Sequence, residues 1–103
     1  MKKEIQDEAA LDFMLSALSE RNKHLVKLLK QPLLNLLMEE LLLGNEIAEV
    51  FSDQTLYVIL EKPFLSPIRT DLQNISYNEV NDPHYWKAEY FDRQNWHVLA
   101  CKY

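Results

Sequence analysis

A chain of 103 residues with 48% hydrophobic and 26% charged side chains is long enough for one small domain with one core, and too apolar to be mainly disordered. Its single glycine, Gly44, cannot build a phosphate-cradling loop or a dinucleotide fingerprint; its single cysteine, Cys101, excludes an internal disulfide and zinc sites made of several thiolates. A net charge of −5 argues against the phosphate neutralisation that non-specific nucleic-acid binding needs, so no nucleic-acid partner is expected.

The first residues, Met1-Lys2-Lys3-Glu4-Ile5-Gln6-Asp7-Glu8, carry two lysines with no apolar stretch behind them, unlike a secretory signal. Residues Leu25 to Leu43 hold ten leucines, yet Lys27, Lys30, Gln31, Asn35, Glu39 and Glu40 interrupt them. No run approaches the roughly 20 apolar residues of a membrane span. No membrane partner is expected, and a reducing, cytoplasmic location is.

Composition changes at Gly44: thirteen of eighteen leucines precede it and ten of eleven aromatics follow it. Helices followed by strands are predicted, an α+β order with helices laid on one face of a sheet. A first helix is expected over 3–19, with Ala10, Phe13, Met14, Ala17 and Leu18 forming the apolar stripe. Asn22 is the expected N-cap of the next helix. There Leu25, Leu28, Leu29, Pro32, Leu33, Leu36, Leu37 and Leu41 keep a helical spacing, and Leu34, Met38 and Leu42 widen the stripe. Pro32 either kinks this helix or opens a new one with Gln31 as a weak cap. The break is favoured, because a residue before proline is biased away from the α region. Gly44 then sits where a left-handed C-terminal cap belongs.

Five strands follow. They are expected at 46–51, 55–61, 75–80, 84–91 and 96–103, with the second central because it is apolar on both faces, and the sheet is predicted to be antiparallel throughout. The link 62–74 holds Pro63 and Pro67 and reads as a long connection; Ser52-Asp53-Gln54, Asn81-Asp82-Pro83 and Asp92-Arg93-Gln94-Asn95 read as turns. The last three strands form a meander. If Phe91 pairs with Trp96, one face carries His84, Trp86, Ala88 and Tyr90 with His97, Leu99, Cys101 and Tyr103. The other carries Tyr85, Lys87, Glu89 and Phe91 with Trp96, Val98, Ala100 and Lys102. The first face has fewer charges and should meet the helices.

That register limits the chemistry. His84 and His97 are held about 20 Å apart at strand rise and cannot share a metal ion; Cys101 and His97 lie about 13 Å apart, too far for a nucleophile–base pair. His97 reads as a half-buried sheet histidine, Cys101 as a small buried apolar residue and His24 as a solvated helix residue. Asp82 reads as a turn residue, and Glu79 with His84 is the one acid–base pairing the turn suggests. No catalytic residue, metal or cofactor is assigned. Tyr57, Tyr77, Tyr85, Trp86, Tyr90, Phe91 and Trp96 are more aromatics than a few short helices can cover, which implies either a pocket or a partner on the second sheet face.

Residues 41–64, with Gly44-Asn45, Glu49-Val50 and Lys62-Pro63-Phe64, and the segment Asn81-Asp82-Pro83-His84-Tyr85-Trp86, resemble small bacterial proteins of unknown function, some carried on mobile gene cassettes. The resemblance implies no activity and no site residue. From the residues themselves the expectation is one α+β domain over 1–103, acting as a non-enzymatic binding or accessory protein and as a homodimer. Tyr85, Phe91 and Trp96 are the first interface candidates, and Leu34, Met38 and Leu42 the second. The alternative is a small-molecule binder or small enzyme with a pocket between sheet and helices near Trp86, Tyr90 and His97.

Overall fold

The structure is a computed structural model that describes residues 8–67, 75–79, 86–93 and 95–101, with the backbone alone at 8, 9, 77–79, 86 and 92. Three helices, α1 (Glu8–Met14), α2 (Glu20–Lys27) and α3 (Gln31–Leu42), precede five strands. These are β1 (Ile47–Asp53), β2 (Thr55–Leu60), β3 (Ser76–Glu79), β4 (Trp86–Asp92) and β5 (Asn95–Cys101). The architecture is α+β, as expected from the change of composition.

The helical half is more divided than its periodicity suggests. The first helix stops at Met14 rather than Ser19, and Leu15 to Leu18 form turns. Leu11 and Leu15 are buried with Met14 and Leu18 beside them, whereas Ala10, Phe13 and Ala17 face outward. The expected stripe was therefore one position off. Leu11, Met14, Leu15 and Leu18 have the same i, i+3, i+4, i+7 spacing and bury more apolar surface than the two alanines would. Ser19, not Asn22, caps α2: its Oγ accepts the Asn22 N–H at 3.2 Å.

The break at Pro32 is present. Lys30 is extended (φ −63, ψ 148), Gln31 opens α3, and Pro32 lies in the first turn, where its missing N–H costs nothing. Gln31 is helical rather than a cap. The bias against the α region before proline is not absolute, and the Gln31 Nε2 donates to Asn35 Oδ1 one turn ahead at 2.8 Å. At the other end Gly44 has φ 104, its N–H donates to the Leu41 carbonyl, and the Asn45 N–H donates to that of Glu40. This paired closure is a Schellman cap, and glycine is favoured at its left-handed position.

The sheet order is β1-β2-β5-β4-β3. β1–β2, β4–β5 and β3–β4 are antiparallel, but β2 and β5 run parallel, so the sheet is mixed rather than antiparallel throughout. The reason is the link after β2. It carries the chain to the far edge, where β3 starts in the same direction as β2, and the three-strand meander then returns β5 against β2. A parallel return of this kind needs a dozen or more residues, and 61–75 supply them. β5, not β2, is the middle strand, and β2 is its interior neighbour. The β1–β2 turn is tighter than expected: Asp53 and Thr55 pair directly, with Gln54 at φ 72 between them.

The Phe91–Trp96 pairing is observed and, for the described residues of β4 and β5, sets the two faces as predicted; His84, Tyr85, Lys102, Tyr103 and the Trp86 side chain lie outside the described residues. The inner face presents Val50, Leu56, Val58, Leu60, Ala88 and Leu99, all buried. Helix α2 packs near β1, and α3 near β4 and β5. Leu33, Leu36 and Leu37 of α3 join that core, and so do Leu34 and Met38. Most of the broad leucine stripe of α3 is thus consumed inside the chain. Leu34 and Met38, expected as the second interface choice, are core residues; Leu42 alone of that trio is exposed. Among the described residues no helix is long and apolar enough to cross a membrane.

Candidate functional site

Two places gather polar or exposed side chains in an unusual way. The first is a buried polar knot at the end of α3. Glu40 falls on the leucine stripe, three and four residues from Leu37 and Leu36, and is only 1% exposed. Its carboxylate accepts from Asn45 Nδ2 at 3.0 Å, Leu65 N at 2.8 Å, Ser66 N at 2.9 Å and Ser66 Oγ at 2.6 Å. Asn45, 2% exposed, continues the network. Its Oδ1 accepts from Glu46 N and Lys62 N, and its Nδ2 also donates to the Lys62 and Pro63 carbonyls. The knot ties the C-terminus of α3, the entry to β1 and the exit of β2 into one unit. Donors surround the carboxylate and satisfy its lone pairs, which is the condition for burying a charge without a cation. Beside it, Leu36, Glu40, Phe64, Ser66, Pro67 and Leu99 enclose about 10 Å³, room for one water at most. The knot therefore reads as an anchor for the loop after β2 rather than a binding site. Its signal was in the sequence: a glutamate on an otherwise leucine stripe, followed by Gly-Asn.

The second place is the outer face of the sheet. Strand alternation puts Phe51 of β1, Tyr57 and Ile59 of β2, Trp96, Val98 and Ala100 of β5, and Lys87, Glu89 and Phe91 of β4 on this side. Phe51, Phe91 and Trp96 are 41%, 49% and 44% exposed. The rings pair across strands: Phe51 stacks on Tyr57 at 4.9 Å, and Phe91 meets Trp96 at 5.0 Å with a 47° tilt. Val98 lies between Tyr57 and Glu89 in the ladder and is only 3% exposed, so its own neighbours already shield the middle of this face. Lys87 Nζ lies 3.3 Å from Glu89 Oε2. A shallow groove of about 380 Å³ runs over Ile75, Ser76, Glu89, Phe91 and Trp96.

The sequence-derived candidates separate cleanly. Phe91 and Trp96 come together on the outer face; Tyr85 lies outside the described residues. Tyr90 and His97 face each other across the β4–β5 ladder on the inner face, where His97 is buried and Tyr90 half-buried. Trp86 opens β4, and its side chain lies outside the described residues. His97 pairs in register with Leu56 and Cys101 with Leu60, both on the inner face. Asp82, His84 and the Glu79 side chain lie outside the described residues. His24 is exposed on α2, in an open polar groove with Asp12, Glu20, Lys23 and Lys27. There the hydrogen bond from Lys27 is the main cause holding the Asp12 carboxyl below its ordinary 3.8. Among the described residues no cluster of His, Cys, Asp and Glu has the arrangement to hold a metal ion. Phe51, which extends the outer face to β1, was not among the candidates, and Tyr57 of β2 was counted only among the surplus aromatics. Their signal was the β-branched and aromatic content of the first hairpin.

Comparison with known proteins finds no family model, no curated protein and no solved structure that matches this chain. The functional reading therefore rests on the geometry.

Proposed function

We propose that the protein is a non-enzymatic binding or accessory protein that acts as a homodimer through the outer face of its sheet. The observation that carries this reading is the contrast on that face between a shielded centre and exposed rings. Phe51, Phe91 and Trp96 stand out around Val98, and no described helix lies over them. Exposed aromatics grouped in this way are uncommon on a soluble monomer and are enriched in interface cores. A second copy meets such a face by a two-fold axis without requiring any new surface. Beside Leu36 and Leu99 the space between sheet and helices is only about 10 Å³, too small for a ligand at that point. Sedimentation at micromolar concentration tests it. The wild type should run as a dimer, and Trp96→Glu, which adds a charge to the aromatic face, should shift it to monomer. A wild-type monomer would refute the dimer.

A further inference from the structure

The outer face is self-complementary in one register. Two rows of residues cross the sheet there. In the ladder, Phe51 lies beside Tyr57, Tyr57 beside Val98, and Val98 beside Glu89. One step along the strands, Glu49 lies beside Ile59 and Ile59 beside Ala100; Lys87, two residues before Glu89 on β4, closes this second row. The rows are about 6.6 Å apart, two residues at strand rise.

Resting on the homodimer reading, we infer that the second copy of this chain packs face to face with each strand antiparallel to its own counterpart, so that Lys87 of each copy meets Glu89 of the other. The two-fold axis that does this lies between the sheets, perpendicular to the strands, and passes midway between the rows over Ala88. It lays the first row of one copy on the second row of the other. Phe51 then meets Glu49 at the β1 border and Ala100 lies over the shielded Val98, while Tyr57 meets Ile59, a large side chain on a smaller one. This is the interdigitation that allows sheets to approach to about 10 Å. At β4 the order Lys-then-Glu, read in the opposite direction by the second copy, sets each cation on an anion. The intramolecular Lys87–Glu89 pair at 3.3 Å becomes half of a four-charge ring. A slip by one row would set Lys87 on Lys87 or Glu89 on Glu89 and leave like charges facing. The ring therefore selects the register more than it adds affinity, since desolvating ion pairs offsets much of their attraction. Phe91 and Trp96 lie one row further out and form the aromatic rim.

Charge reversal tests this with sedimentation and a fluorescence mixing assay on the full chain, each variant checked for its fold by circular dichroism. Lys87→Glu and Glu89→Lys should each weaken self-association at least tenfold, because each creates a ring of like charges. The double variant Lys87→Glu/Glu89→Lys should recover the wild-type dissociation constant within a few-fold. An equimolar mixture of the two single variants should form a heterodimer that neither forms alone. If a single reversal fails to fold, Lys87→Gln and Glu89→Gln replace the pair and should each weaken the dimer less steeply. A wild-type dimer indifferent to the single changes would overturn the register and leave the dimer standing. So would single variants that weaken the dimer while neither the double variant nor the mixture restores it. A wild-type monomer would overturn the dimer and the register together.

Discussion

The two faces of one sheet are built from neighbouring residues of the same strands, yet they are finished differently. Leu99 and Val98 are adjacent on β5. Leu99 is roofed by α3 and is fully buried; Val98, on the other side, is shielded by side chains of its own sheet. The inner face is closed by backbone-ordered elements that the polar knot at Glu40 and Asn45 fixes in place. The outer face is left with aromatic pairs at its borders and a charge pair on β4. The helices of this chain suffice for one face only. Ten of the thirteen leucines before Gly44 are buried in the core or packed against it, Leu34 among them, and only Leu28, Leu42 and Leu43 are left exposed.

The inner face should be the more sensitive to truncation. Leu99→Ala, in the middle strand under α3, should cost about 2–5 kcal/mol in urea unfolding, the range for a fully buried leucine. Phe91→Ala on the outer face should cost no more than about 1–1.5 kcal/mol in the monomer, chiefly the ring contact with Trp96. Equal losses at the two sites would mean that the outer face is as sealed as the inner.

Glu40→Ala comes next. It leaves two backbone N–H groups and the Ser66 hydroxyl without their acceptor and takes one of three acceptors from the Asn45 amide, and about 2–4 kcal/mol should be lost. Amide exchange at Leu65 and Ser66 should rise by more than at β5. A uniform rise across the chain would show that the knot anchors the whole fold rather than the loop.

Gly44→Ala should cost about 1 kcal/mol. A new Cβ would meet nothing within 4 Å, so the whole effect comes from the backbone at φ 104. An unchanged midpoint would be inconsistent with a left-handed cap. The smallest effect concerns the surface of α1 and α2. Lys27→Met should bring the Asp12 carboxyl back up toward 3.8, read by its own titration in NMR. The sign follows from the lowered value in the folded chain. The contribution of the pair is present above about pH 4 and is lost as pH falls through the depressed pKa. A carboxyl that titrates at the same place in both proteins would remove Lys27 as the cause.

Much of this was legible in the chain itself. The switch from leucine to aromatic and β-branched residues at Gly44 determined helices first and strands second. Gly44 followed by Asn45 marked the cap, Pro32 marked the break, and the short turn between Phe91 and Trp96 fixed which side chains share a face of the last hairpin. These are local effects: backbone dihedrals, capping groups and the two-residue period of a strand act within a few positions. What local rules left open was decided by long-range contact. Two stripes of equal spacing were available on α1, and the core chose Leu11 and Leu15. The pairing partner of β5 was open, and the length of the link after β2 let it lie parallel to β2 in the middle of the sheet. Glu40 stands in the sequence as an interruption of the leucine stretch, and its partners come from the fold: four donors, one at Asn45 and the others from residues 25 or more positions away, close around it. Partners so distant in sequence meet only when the whole chain is packed, and for that reason the knot, the mixed sheet and the grouping of exposed rings on the outer face belong to the tertiary structure.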